Sequence, residues 1–246
     1  MARSIPGRRA CGAPSASCCR QGHRSRCSGG PELITLYNDA YRLVFGGKHP
    51  QALGQPIREA WSELWRAGLK ALFENVLATG EAFWAQDRPF YMERNGFPEE
   101  TFFDVSYDPV RDESGRVGGV FCIVSETTGR VVGERRLKVL RDLGSVAAQA
   151  HSAAEAWALS AGALASAPLD LPFADAHLDD RTGWPIGLHD VAAPKHCMAT
   201  APGPWPEPAH SLMVLPLGER AGESGGKLAL GVSSRLPFDD SYRGFF

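Results

Sequence analysis

Glu93 to Thr128 reads ERNGFPEETFFDVSYDPVRDESGRVGGVFCIVSETT. Phe103, Val105 and Tyr107 alternate with Asp104, Ser106 and Asp108, which is the period of a strand with one wet face. Val117 to Ser125 is the most apolar strand of the chain. Arg111 to Arg116 between them is a turn with Ser114-Gly115 at its tip. Asn95-Gly96 is a turn dipeptide that joins antiparallel neighbours. Upstream, Phe83-Trp84 opens a further strand. Pro89 has no N–H for a ladder and confines that strand's middle to an edge or a bulge. Three antiparallel strands with one apolar face cannot bury it alone, so they close against helices as one α+β domain.

Those helices are legible on the N-terminal side. From Ser62, the apolar positions Leu64, Trp65, Leu69, Leu72, Phe73, Val76 and Leu77 recur at three and four. The spacing predicts one amphipathic helix that stops at Thr79-Gly80. Before it, Leu33 to Tyr37 reads as a short apolar strand. Asn38-Asp39 offers capping oxygens to a short helix over 40–45, which ends at Gly46-Gly47.

The bulk numbers set bounds. A chain of 246 residues suits one large domain or two of ordinary size. A hydrophobic fraction of 43% with 22% charged residues is that of a soluble globular protein. A net charge of -2 gives no electrostatic reason to expect nucleic acid or an anionic membrane as partner, and neither is expected. No apolar run approaches the ~18–20 residues of a membrane helix, so the expected location is the cytoplasm.

Residues 1–30 are different. They hold arginines at 3, 8, 9, 20, 24 and 26, no acid, and four of the six cysteines. So few large apolar side chains cannot offset the entropy of ordering, and a disordered basic tail is expected. Cys19, His23 and Cys27 have the spacing of a helix face that could hold zinc, but no fourth ligand stands at a familiar distance. Arg8-Arg9 lacks the apolar stretch of an export signal. Such a start abutting a well-patterned domain also fits a wrong start or a shifted frame.

Taken together, GPELITLYNDAY, LGQPIREAWSELW, VLATGEAFW and the Glu93–Thr128 stretch resemble the PAS domain that heads many bacterial sensor histidine kinases of the PAS–GAF type. Asn38-Asp39-Ala40-Tyr41 resembles the family's entry to its first helix. Ser125 to Thr128 resembles the polar motif that ends its last strand. The resemblance implies a PAS-like antiparallel sheet flanked by helices over 31–128, and a signal passed on through Glu126, Thr127 and Thr128. In the family an apolar strand precedes GPEL. Here that place holds Arg24 to Gly30, so the first strand is expected to be incomplete and the pocket destabilised or open.

A PAS pocket holds a flavin, a haem, a small metabolite or nothing. A photoactive flavin site needs a cysteine on the facing helix, and Ser62 to Ala78 has none. Haem needs an axial ligand such as histidine, and the one histidine between residues 31 and 150 is His49, in a loop beside Pro50. No cofactor is therefore expected. Cys122 reads as a small core residue. An apolar pocket lined by Tyr37, Trp65, Leu69, Phe73, Tyr107 and Phe121 is one reading of the remaining side chains. Ordinary core is the other.

Beyond the domain, 131–165 has a helical pattern, with Leu137, Leu140, Leu143 and Val146 on one side and Arg135, Arg136, Lys138 and Arg141 on the other. The resemblance makes 129–166 a signalling helix, with a homodimer through it. An amphipathic helix packed on its own domain is the alternative. Residues 167–246 resemble a partial GAF domain with strands at 211–217 and 228–233, little strand signal over 181–200 and its closing helix missing. The histidines form no ligand set. His196-Cys197 reads as a solvated loop, and Gly222 to Gly226 lacks the Lys-Ser/Thr of a phosphate loop. Phosphoacceptor and ATP-binding motifs of a kinase are not found, and no catalytic residue is assigned. The expectation is a sensing module of a bacterial two-component protein rather than an enzyme. The alternatives are a truncated remnant of such a kinase, or a small enzyme with an unrecognised site in 168–246.

Overall fold

The computed structural model describes residues 23–177, 185–190, 204–217 and 226–246. The chain divides into two compact units, Met1–Val131 and Val132–Phe246.

The first unit is built on a five-stranded antiparallel sheet of β1 (Arg24–Gly29), β2 (Ile34–Tyr37), β3 (Phe83–Glu93), β4 (Pro98–Arg111) and β5 (Val117–Glu126), in the order β2-β1-β5-β4-β3. The three strands expected from the alternating pattern are present, with turns at Asn95-Gly96 and Ser114-Gly115. Pro89 lies on the edge strand β3, four residues past Ala85. The ladder breaks between Ala85 and Arg88, where Asp87 takes a positive φ of 46°.

The tail expected to be disordered to residue 30 instead becomes a strand at Arg24. β1 is interior to the sheet, paired with β2 on one side and β5 on the other. Its sequence, RSRCSG, carries no strand-like hydrophobicity. What holds it is the backbone ladder together with buried polar pairs. Asn38 Oδ1 accepts from Ser25 N at 3.3 Å and from Tyr41 N at 3.0 Å, and Asn38 Nδ2 donates to Ser25 Oγ at 3.0 Å. One side chain thus caps the first helical turn and pins β1. Gly119 lets the strands approach this closely, since a Cβ there would stand 2.6 Å from the Ser28 carbonyl oxygen. A zinc site on a helix through Cys27 is excluded by the strand. Cys19 lies outside the described residues, as do Arg8-Arg9, His196-Cys197 and Gly222 to Gly225.

The helical layer covers the sheet face that carries Phe103, Val105, Tyr107, Val120, Cys122 and Val124. It comprises α1 (Arg42–Phe45), α2 (Ile57–Ala60), α3 (Ser62–Leu64) and α4 (Lys70–Thr79), with 3₁₀ turns on either side of α1. The single helix expected from Ser62 is broken. Trp65–Leu69 forms a π turn with Gly68 at φ 116°. Only glycine adopts that angle without strain, and the break rotates Trp65 relative to Phe73. Gly80, left-handed at φ 70°, ends α4 as expected.

The helix expected over 131–165 is two helices, α5 (Thr128–Ala147) and α6 (Ala153–Ala165). The break follows from the N-cap at Ser152, with Glu155 reaching back past it. Ser152 Oγ accepts from Glu155 N at 3.2 Å, and His151 N donates to Glu155 Oε2 at 2.8 Å. Along α5, Val132, Arg136 and Val139 are buried, while Leu137 is 66% and Leu140 43% exposed. The arginine side is therefore partly inside, contrary to the expectation from polarity. Asp170, 0% exposed, accepts from Arg135 Nε at 2.6 Å and Arg136 Nε at 2.9 Å, and this ion cluster turns that side of the helix inward.

The second unit carries a four-stranded antiparallel sheet of β6 (Ala174–His177), β7 (Gly187–Asp190), β8 (Ser211–Leu217) and β9 (Gly226–Gly231), in the order β6-β9-β8-β7. β7 lies in the stretch read as poor in strand signal. The terminal α7 (Asp240–Arg243) brings Tyr242 inside, with its hydroxyl on the Asp170 carbonyl and its ring under the Arg136 guanidinium at 3.9 Å.

Candidate sensing site and relay

Two places in the first unit carry unusual chemistry. The first is the interior under the helical layer. Arg26 on β1 and Cys122 on β5 are cross-strand partners, and Tyr107 on β4 is opposite Cys122. The period of two puts all three on the covered face. Arg26 is 1% exposed. Its Nε donates to Tyr41 Oη at 3.2 Å and its Nη1 to Ser28 Oγ at 2.7 Å. The guanidinium also lies 5.5 Å from the Phe73 ring centroid. Burial pushes the Tyr41 hydroxyl up to about 12, raises Tyr107 well above the usual phenol range and raises the Cys122 thiol. All three are neutral at pH 7.

The remaining space is a cavity of about 20 Å³ beside Arg26, Tyr41 and Tyr107, walled by Leu64, Leu69, Phe90 and Met92 among others. The expected open pocket is closed, because β1 is in place. Of the six residues read as its lining, Leu69 and Tyr107 are there. Phe73 is fully buried and packs between Arg26 and Tyr107 without facing the cavity. Trp65, turned by the π segment, meets the edge of Phe73 at 5.8 Å. Tyr37 stacks near Phe45 at 4.6 Å and shares a hydrogen bond of 2.9 Å with His49 Nδ1. Phe121 alternates with Val120 and Cys122 and so points to the other sheet face. The sequence reading missed Arg26 because it lay in a stretch taken for a tail. A lone arginine opposite an apolar strand was the available signal.

The second place is the end of β5. Glu126 Oε1 accepts from Arg94 Nη2 at 2.6 Å, and Oε2 accepts from Arg94 Nη1 at 3.1 Å and Arg24 Nη1 at 3.2 Å. Thr128 Oγ1 donates to Glu126 Oε1 at 3.2 Å and accepts from Phe102 N at 3.0 Å. Thr127 N donates to Phe102 O at 2.8 Å. Arg94 Nε also donates to Glu99 Oε2 at 3.0 Å, and the Arg94 carbonyl accepts from Gly47 N at 2.7 Å. One carboxylate therefore ties β1, the β3–β4 hairpin, the last strand and the first turn of α5. Burial alone would raise the Glu126 carboxyl. The hydrogen bonds and charge of Arg94, the charge of Arg24 and the bond from Thr128 outweigh it and hold the group below its ordinary value of 4.5. Arg94 and Arg24 were not singled out in the sequence, since nothing in their spacing marks them as partners of residue 126.

Among the described residues no group of three or more His, Cys, Asp or Glu side chains is placed to hold a metal ion. No described helix is long and apolar enough to cross a membrane.

A family model described as PAS fold matches residues 33–132. No curated protein sequence matches the chain. Among solved structures, an RNA-binding light-oxygen-voltage receptor is 19% identical with a TM-score of 0.38, over 53% of this chain and 37% of its own. This chain thus spans little more than a third of that receptor. The PAS domain of Bordetella pertussis BvgS is 22% identical with a TM-score of 0.38, over 52% of this chain and 93% of its own. A sensory box sensor histidine kinase from Vibrio cholerae is 14% identical with a TM-score of 0.33, over 44% and 83%. The sheet order, the helical layer and the family match agree, and residues 33–132 are a PAS domain.

Proposed function

We propose that this protein is the signal-sensing part of a cytoplasmic, bacterial two-component protein of the histidine-kinase type. Its PAS domain relays a change in the pocket through Glu126, Thr127 and Thr128 into α5. The four-stranded second unit is read as a GAF-like domain, and α5 as the place where two copies meet through Leu137 and Leu140.

The observation that carries this reading is the Glu126 joint. A sensor needs its pocket coupled to an outgoing element. Here the strand that passes Cys122 beside Arg26 ends four residues later on a carboxylate held by three other segments. Movement of β1, β5 or the hairpin changes the geometry at Glu126 and hence at the first turn of α5. The exposed pair Leu137 and Leu140, spaced by three, supports the pairing of helices.

The test is amide hydrogen exchange on the full chain carrying Glu126→Gln. Amides of 128–135 should exchange about fivefold to tenfold faster, while those in the middle of β3 and β4 keep their protection. Unchanged exchange at 128–135 would remove the relay.

A further inference from the structure

Arg26 is a permanent cation in a nearly dry interior, and its counter-charge is not among its described partners. Its hydrogen bonds go to a phenol and a hydroxyl, and its remaining neighbours are rings, a second phenol and a thiol. An arginine cannot shed its proton to escape this cost, and a buried charge ordinarily has a partner of opposite sign. Tyr41, Tyr107 and Cys122 are neutral and supply none.

Two further observations point to an external anion. The cavity lies against this cation, and Arg26 is the one charged side chain among its lining residues. Apart from the Tyr41 and Tyr107 hydroxyls and the Trp61 ring nitrogen, the rest of its wall is apolar. The wall is also least regular where Leu64 and Leu69 meet it, because Leu64 precedes the π turn and Leu69 ends it, with Gly68 between them at φ 116°. Such segments yield at lower cost than a continuous helix and recur at functional sites. As it stands, about 20 Å³ holds roughly one water-sized group. A larger occupant enters only if the Leu64–Leu69 wall moves.

We propose that the Arg26 cavity binds a short-chain aliphatic monocarboxylate, with its carboxylate on the Arg26 guanidinium and the Tyr41 hydroxyl and its alkyl chain against Leu64, Leu69 and Met92. One cation with two neutral phenols in a chamber otherwise walled by apolar side chains fits a single carboxylate with a hydrocarbon tail, and leaves a second carboxylate without a cation. The site deepens the sensing reading and rests on it. Binding and relay nevertheless have separate readouts.

The experiment is thermal unfolding of the full chain at pH 7 in acetate, propionate, butyrate and hexanoate. Ionic strength is held constant with sodium chloride, butyramide is the neutral control, and calorimetric titration gives the affinity. The expected result is a saturable rise in Tm of about 2–4 °C with an optimum in chain length, and no rise with butyramide. Arg26→Met, which puts an apolar chain of similar reach in place of the charge, should fold and lose the response. Should it fail to fold, Arg26→Lys keeps the charge without the planar fork and should bind at least tenfold more weakly. Carboxylates no better than chloride, or a variant responding like the parent chain, would overturn the proposal. Binding with no change in exchange at 128–135 would leave the site standing and sink the relay instead.

Discussion

The two sheets solve the same burial problem differently. Over the first, aromatic side chains close the space. Phe45 stacks on Trp61 at 4.8 Å, Tyr37 meets Phe45 at 4.6 Å, and Phe73 meets Tyr107 at 5.8 Å. About 20 Å³ remains beside Arg26. In the second unit, Leu215, Leu217, Leu228 and Leu230 share one sheet face, and the helix opposite reads AAEAWALSAGALA. Alanine and serine are too short to reach that face, and a cavity of about 470 Å³ is left. Asp170, Arg136 and Tyr242 form a polar cluster in this unit, and Arg235 with Glu207 forms another. A dense core holds its polar groups at fixed geometry because every neighbour is braced. Beside a looser one, buried ion clusters carry more of the order.

That contrast makes the Asp170 cluster the most sensitive point of the second unit. Asp170→Asn removes the carboxylate from two arginines, one of them 6% exposed, and should cost about 3 kcal/mol. The check is the denaturation midpoint followed by hydrogen exchange in β8 and β9. The matching break in the first unit is steric. Gly119→Ala places a Cβ against backbone that no rotamer can move and should cost about 2–3 kcal/mol, read as lost protection in β1. A cost under about 0.5 kcal/mol would mean that β1 is not held tightly.

The same contrast explains what could be read from the residues. β4 and β5 were legible because their side chains alternate between core and water, and the turns at Gly96 and Gly115 carry their own chemistry. β1 was illegible. Hydrophobicity announces a strand only when side chains supply its burial energy, and RSRCSG is held by two ladders and by Asn38. Of the six residues read as pocket lining, Tyr107 and Leu69 border the Arg26 cavity, while Phe121 alternates onto the other sheet face and Trp65 packs on the edge of Phe73. Glu126 and Thr128, the residues of the proposed relay, stand at the end of a visible strand. Their partners Arg24 and Arg94 are 102 and 32 residues away, beyond any local pattern. The two readings of α5, a seam between copies or a helix packed on its own domain, could not be separated by pattern, because Asp170, which draws the arginines in, lies 34 residues downstream of Arg136.

Packing density itself can be probed by adding volume to each cavity. Val124→Phe forces a ring into a chamber of about 20 Å³ and should cost about 1–3 kcal/mol. Ser160→Leu adds comparable bulk facing about 470 Å³ and should be neutral or stabilise by up to about 1 kcal/mol. Urea midpoints of the two variants give the comparison directly. Equal costs would show that the second cavity is as unforgiving as the first, and the contrast drawn between the cores would fall.

The pH-dependent effect is the most specific. The folded-state value of Glu126 is depressed, so its contribution to stability is fully present above the ordinary carboxylate value of 4.5 and is lost as pH falls through the folded value below it. At pH 7, Glu126→Gln should cost about 1–2 kcal/mol, since Arg94 keeps Glu99 while Arg24 loses its acceptor. The difference between parent and variant should then shrink as pH drops below 4.5, because the parent carboxyl takes up a proton and comes to resemble the amide. Asp170→Asn supplies the reference, as its arginines sit in the other unit and its cost is read from β8 and β9. If the Glu126→Gln difference stays constant from pH 7 to pH 3, the carboxylate is not what ties the hairpin, β1 and α5 together. The joint would then be a matter of shape alone.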